Sequence, residues 1–404
     1  MKHAATLPFL VAASLLRADW VPHSPLLRIG SELDVHFTAK AKSEFTDNLF
    51  YRSTSGLLPD SALSLEFTPG LDFQYGKDLP LSASLTFGRT FVDYLDSELR
   101  QLDDEQDAFG FSANYDGGGP LLVSVGASYA ETARNNAELQ LTPNEFATLV
   151  RQSAASRSLS FTYGFTEKFS ATVGVRDSAI RYYDQDLSSS LTNAKSFALP
   201  IDLRFKYSEK VVAGFSFDFG TTDIHDSNTG AYRWSYDRSF YGLNLSYQPT
   251  EKLQGEFKAG LQSTEYDFSS TSSDSPSYTL SLTHSITEKL DQSLSIGMEA
   301  GTAANGGISE SFRLSYGLNL ANSQAWRSSF GLNYRDSSID SLNDPLNPTA
   351  VNSSIDVRSF GVSLGTNYSP DDHWTFGANY SFSRTIDPVS YNINRVSLEA
   401  SLRW

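Results

Sequence analysis

The closing run of this chain sorts its residues by parity. Val396, Leu398, Ala400, Leu402 and Trp404 fall on one set of alternate positions, and Arg395, Ser397, Glu399, Ser401 and Arg403 on the other. A period of two sends successive side chains to opposite faces of a strand. A soluble sheet packing that second face into a dry core would have to bury unpaired charge, which is prohibitively costly. Water on one side and lipid on the other removes the conflict. In lipid, only helices and closed barrels satisfy every backbone polar group, and after the leader no run of about twenty apolar residues exists to make a helix. The pattern predicts an all-β fold, a transmembrane antiparallel up-and-down β-barrel.

The same arithmetic recurs along the chain. Strands are expected at 32–45, 62–75, 81–92, 108–115, 121–131, 157–166, 169–177, 196–207, 211–220, 239–248, 253–264, 277–287, 293–301, 310–320, 325–335, 359–368, 374–383 and 394–404. That makes about eighteen, with sixteen as the alternative; bacterial single-chain barrels have even numbers. The inward parity then collects Asp34, His36, Lys40, Asp202, Arg204, Lys206, Glu256, Lys258, Glu299, Arg313, Arg327, Arg335, Arg395, Glu399 and Arg403 as the pore-lining charged set. Outward positions in the strand middles are expected to carry no charge, because Lys or Arg facing the bilayer midplane costs roughly 2 to 4 kcal/mol. A mixed-charge constriction built from the first strand, residues 202–206 and 254–258 and the closing strand competes with a plain solvated wall.

Connections alternate between tight turns and longer loops, as periplasmic turns and extracellular loops do. Thr166-Glu167-Lys168, Ser208-Glu209-Lys210, Thr250-Glu251-Lys252 and Thr287-Glu288-Lys289 recur about every forty residues, the length of one hairpin with its loop. Tyr75, Tyr115, Tyr207, Tyr247, Tyr368, Trp326, Trp374 and Trp404 form the expected inner aromatic girdle, and Tyr129, Phe219, Tyr241, Tyr278, Tyr334 and Phe382 the outer one. Thr142-Pro143-Asn144-Glu145 reads as a helix start, giving a short helix near 143–151. Residues 269–275 read as a mobile polar loop. At the other end, Lys2 and the apolar stretch Ala4–Leu16 before Ala18 read as an export signal over 1–18, a short buried helix being the alternative. Residues 19–31 follow as a brief periplasmic lead-in, and 32–404 as the barrel.

Composition removes other classes. A net charge of -16 argues against a nucleic-acid partner, and a mean hydropathy of -0.31 against a helical membrane protein. Catalysis finds little support: His284 falls on the outward parity, His225 and His373 in a loop and a turn, and His36 faces inward without a motif that selects a serine. No nucleophile elbow, phosphate loop or zinc-protease helix is present, and the acidic stretch 93–107 lacks the spacing of a calcium loop. No enzyme activity, cofactor or metal is expected.

Two stretches, Glu44-Phe45-Thr46-Asp47-Asn48-Leu49-Phe50 and Leu65-Glu66-Phe67-Thr68-Pro69-Gly70-Leu71, resemble the bacterial outer-membrane β-barrel porins of the second type. The resemblance implies a Gram-negative outer-membrane location, no catalytic residues, and a link to exopolysaccharide systems in some members. The ending Leu398, Ala400, Leu402, Trp404 is similar to the signal read by the outer-membrane barrel assembly machinery, although phenylalanine is more usual at the last position. The expected function is a porin-like channel for passive passage of hydrophilic solutes. Exopolysaccharide export and a structural or adhesive barrel with a blocked lumen are the alternatives, the membrane lipid, the assembly machinery and a polysaccharide being the expected partners.

Overall fold

A computed structural model describes residues 25–30, 32–49, 61–77, 79–134, 149–183, 191–267, 272–302, 308–340, 354–387 and 390–404. Its strands are β1 (Leu27–Ile29), β2 (Leu33–Thr46), β3 (Ala62–Tyr75), β4 (Leu81–Tyr94), β5 (Asp104–Asp116), β6 (Leu121–Arg134), β7 (Val150–Gly164), β8 (Phe169–Tyr182), β9 (Thr192–Ser208) and β10 (Val211–Asp226). There follow β11 (Tyr232–Thr250), β12 (Leu253–Tyr266), β13 (Ser272–Thr287), β14 (Leu290–Thr302), β15 (Ile308–Ala321), β16 (Trp326–Asp340), β17 (Ser354–Tyr368), β18 (Trp374–Asp387) and β19 (Tyr391–Arg403). From β2 to β19 each strand pairs antiparallel with the next, and β19 returns to β2 from Arg395↔Thr46 to Arg403↔Thr38, closing an eighteen-stranded ring. Closure removes the free edges that would otherwise recruit other chains. Among the described residues, no helix is long and apolar enough to cross a membrane.

Cross-strand register places the two parities on opposite faces. Phe67 stands opposite Phe91, Leu85 opposite Phe111, Phe217 opposite Tyr241, and Leu282 opposite Leu294. This apolar parity is open to the surroundings, Leu261 at 63% and Leu398 at 61%. The polar parity lies on the concave side. There the Arg403 guanidinium spans β2 to reach Asp72 on β3 (2.7 Å). Tight turns join the strand ends on one side, and Gly76 (φ 69) shows why one of them needs glycine: an added Cβ would sit 2.1 Å from the Leu81 carbonyl oxygen. Aromatic pairs mark the apolar rims. Trp326 packs on Tyr368 and Trp374 stacks on Phe376 near the tight turns, while Tyr241 meets both Phe217 and Phe219 toward the long loops.

Several local expectations are corrected. Residues 1–24, with the expected export signal, and residue 31 lie outside the described residues, while within the lead-in β1 adds a short strand that pairs with Leu33–Val35 of β2, on the edge that β19 leaves uncovered below the reciprocal Phe37–Trp404 backbone pair (2.7 and 2.8 Å). Gly30 (φ 66) makes the turn between β1 and β2. Of the polar loop expected over 269–275, positions 269–271 lie outside the described residues, whereas Ser272–Ser275 belong to β13, each opposite a residue of β12, because backbone pairing carries the hairpin beyond the apolar band. Within the acidic stretch 93–107, Asp93 lies in β4 and Asp104, Glu105 and Asp107 in β5, which begins four residues earlier than the alternation indicated. Of the helix near 143–151, positions 143–148 lie outside the described residues, whereas Val150 and Arg151 are the first residues of β7.

Charge on the outer face is also not absent. Longer strands carry the outward parity onto Arg89, Glu105, Asp107, Glu131, Arg157 and Asp177. Arg157 stands opposite Asp177 (3.9 Å), its side chain 78% exposed, with Leu159 and Val175 on the turn side and Ala155 and Ala179 on the loop side. Arg89 pairs with Glu105 and lies 3.8 Å from Asp107, while Glu131 accepts the Tyr129 hydroxyl (2.6 Å). Carboxylates neutralise these arginines, and their position toward the loop ends of β4–β8 lets the long side chains reach the interface. The apolar band is therefore lower on this flank than on the rest of the barrel.

Candidate functional site

Among the described residues the inner face gathers polar side chains along every part of the ring, and its charges are considered in three walls. The first is the seam of β19, β2 and β3. Register sets Lys40 beside Ser401 and Lys42 between Glu399 and Glu66. Lys40 binds Glu399 (2.9 Å), Lys42 binds both Glu44 (2.8 Å) and Glu66 (3.0 Å), and Arg395 lies 4.0 Å from Glu44. Nearer the tight turns, Arg403 meets Asp72, which is opposite His36, and Asp34 takes Arg28 from β1 (2.6 Å). Lys42, Glu44, Glu66 and Asp72 complete this wall but were absent from the expected charged set. Their parity was the available signal.

The second wall spans β9 to β12. Asp202 accepts the Ser216 hydroxyl, which in turn accepts Asn244 Nδ2 (2.8 Å). Arg204 stands opposite Gly214, and Lys206 turns to Glu209 (2.8 Å) at the β9–β10 turn. Glu256 lies between Ser246 and Ser281. The Phe240 ring lies across the glycine pair Gly242–Gly260, since a Cβ on either glycine would meet it within 2.3 to 2.7 Å, and Lys258 Nζ sits 4.6 Å from the ring centre. Removing two side chains thus makes room for an aromatic plate flat on the wall.

The third wall runs from β14 to β16. Glu299 accepts the Thr279 hydroxyl (3.2 Å). Arg313 and Arg335 stand directly opposite one another, and Arg327 lies near the tight-turn end, opposite Asn367. The expected charged residues therefore do not meet in one constriction. The seam and the β9–β12 wall are separated by strands β4 to β8 on one side and β13 to β18 on the other, which places them across the lumen from each other.

Toward the long loops the inner face changes character. Ile224, Trp234 and Tyr236 pack with Ala194 and Tyr266. Leu99, from the segment between β4 and β5, is fully buried with Leu49 and Ala62 against Tyr94 and Leu102, so this segment folds toward the inside. Val150 and Leu191 are fully buried as well. The sequence carried a sign of this layer, since Ile224, Trp234, Tyr236 and Ile393 are apolar residues on the polar parity. Alternation scored over the strand middles passes over them.

His284 Nδ1 lies 3.0 Å from Gln292 Nε2 on the outer face, His225 Nδ1 lies 3.3 Å from the Gly230 carbonyl, and His373 Nδ1 2.9 Å from that of Arg403. Among the described residues no group of three or more His, Cys, Asp or Glu side chains is placed to hold a metal.

A closed, even-numbered antiparallel ring with an apolar outer band and a charged inner wall defines the class: a bacterial outer-membrane β-barrel. Solved structures of similar fold include the FrpB iron transporter from Neisseria meningitidis (F3-3 variant; 12% identity, TM-score 0.46, 88% of this chain and 62% of that one). Others are OccAB4 from Acinetobacter baumannii (10%, 0.48, 93% and 100%) and OpdQ from Pseudomonas aeruginosa (12%, 0.48, 92% and 98%). The chain thus spans less than two thirds of that FrpB structure. No family model and no curated protein matches the sequence.

Proposed function

We propose that this barrel is a channel through which hydrophilic solutes cross the outer membrane passively, without catalysis. The observation that carries the reading is the inner face of β13, β17 and β18. Ser275 through Ser285, Ser359 through Asn367 and Thr375 through Ser383 place only Ser, Thr, Gly and Asn there. Such short groups cannot fill the interior of a ring this wide, so water does. In this reading the three charged walls line the path, and Leu398, Ala400, Leu402 and Trp404 present the closing strand to the assembly machinery. In the same reading the chain is a β-barrel porin of the second type, as the stretches 44–50 and 65–71 suggest.

Two rivals rest on specific features. The buried apolar layer under the long loops favours a blocked, structural or adhesive barrel. The hydroxyl-rich wall, together with Arg204, Lys206, Arg313, Arg327 and Arg335, favours a polysaccharide conduit. Planar-bilayer recording from protein whose folding is verified by heat-modifiable gel mobility separates the first two. Stepwise current supports passage. Folded protein that gives no current refutes it and leaves the blocked barrel.

A further inference from the structure

We infer that Arg313 and Arg335, with Ser311 and Ser337, form a binding site for an oxyanion, the carboxylate or sulfate of a solute entering from the long-loop side. The inference gives a substrate class to the channel proposed above and rests on that reading for its role in transport, though not for binding itself. Like charges directly opposed on one face of an antiparallel pair destabilise it, and the register of β15 and β16 opposes these two arginines. At the seam, each lysine and arginine of the inner wall has a carboxylate within 4.0 Å. Neither Arg313 nor Arg335 has one among the described residues. Asp336, next to Arg335, lies on the opposite parity, and Glu299, an inner-face acid on the neighbouring strand, is opposite Ser311 and directs Oε1 to Thr279 on its other side.

The hydroxyls fix the geometry. Arg335 Nε donates to Ser337 Oγ (2.7 Å), Arg335 Nη2 donates to Ser311 Oγ (3.3 Å), and the two hydroxyls lie 2.8 Å apart. Ser337 and Ser311 are buried, Arg335 is half-buried, and Arg313 is exposed. One guanidinium is thus held by the wall with donors to spare, and the other is free to close on an anion. Across β15 to β18 no acid competes: the inner positions Ser309–Asn319, Arg327–Ser337, Ser359–Asn367 and Thr375–Ser383 include three arginines and no carboxylate, and of the inner acids on β14, Glu299 accepts from Thr279 and Asp291 stands opposite Asn319 near the tight turn.

The test uses sulfate and D-glucuronate as probes on detergent-folded full-length barrel, comparing wild type with Arg313→Gln/Arg335→Gln and with Arg89→Gln, an arginine of the outer face, as a control. Isothermal titration should show binding to the wild type and the control, weakened about tenfold in the double variant, as expected for loss of charge-assisted contacts. Arg335→Lys, which keeps charge but loses the fork, should fall between. Binding of sulfate alone assigns the site to free oxyanions, and binding of glucuronate to acidic saccharides. Equal affinity in wild type and folded double variant, or no binding to wild type, overturns the site. In bilayers, both probes should reduce wild-type current but not that of the double variant. Wild-type protein that binds but carries no current leaves the site standing and removes the passage reading, whereas unblocked current with no binding does the reverse.

Discussion

Replacing Leu282 with arginine places the two-solvent arrangement under direct load. Leu282 lies in β13 opposite Gly255 on β12 and Leu294 on β14, all on the apolar face. Its Cδ2 covers the glycine, for a Cβ built at Gly255 would come within 2.9 Å of it. Leu282→Arg therefore exposes backbone at Gly255 and puts a guanidinium against lipid, at about 2 to 4 kcal/mol for a position in the hydrocarbon, less if the side chain snorkels to the nearer interface. Thr283 is the adjacent residue, exposed on the inner face between Gln254 and Ser293. Thr283→Arg should cost within about 0.5 kcal/mol, as for a surface substitution away from special features. Refolding from urea into phosphatidylcholine vesicles, with folded fraction read by heat-modifiable mobility, should separate the variants by roughly tenfold or more in equilibrium constant. Equal folded fractions would refute the assignment of faces.

Three further outcomes follow from the geometry. Arg157→Leu with Asp177→Leu should stabilise the barrel in vesicles by about 1 to 4 kcal/mol, because a lipid-side ion pair gives way to apolar surface; a lower urea midpoint would contradict the outward placement. Gly76→Val should impair hairpin formation between β3 and β4 by more than about 1 kcal/mol, since its backbone is left-handed and a Cβ would strike the Leu81 carbonyl, whereas Gly119→Val, in open space, should refold like wild type. Lys42→Met leaves Glu44 and Glu66 without their shared cation, so a conducting barrel should shift toward cations in a salt-gradient reversal-potential measurement; an unchanged potential would remove the seam from the permeation path.

Alternation made the ring legible because lipid and water impose opposite demands on neighbouring residues, and Leu33 through Ala41 already display both. Strand ends were less legible for a physical reason: beyond the apolar band neither solvent enforces parity, so Asp104–Asp107 and Ser272–Ser275 pair in the sheet while reading as loops. Charges of the first and closing strands were legible on the inward parity, but not which of them pair. Lys40 and Glu399 are far apart in sequence and meet only through closure. Likewise, the opposition of Arg313 to Arg335 depends on hairpin register, which composition does not encode. The buried layer near Ile224 and Leu99 escaped because it reverses the rule that holds lower in the same strands.

The edge of β2 is shared by two pieces of chain, β19 along its upper part and β1 at its foot. Its pairing with β1 and β3 is local, but its partnership with β19 joins segments more than three hundred residues apart. Such a contact forms late. Until the eighteenth barrel strand arrives, β2 waits with most of one flank bare and β1 covers only the foot of it, so an unclosed ring presents an edge that a strand of another chain can join.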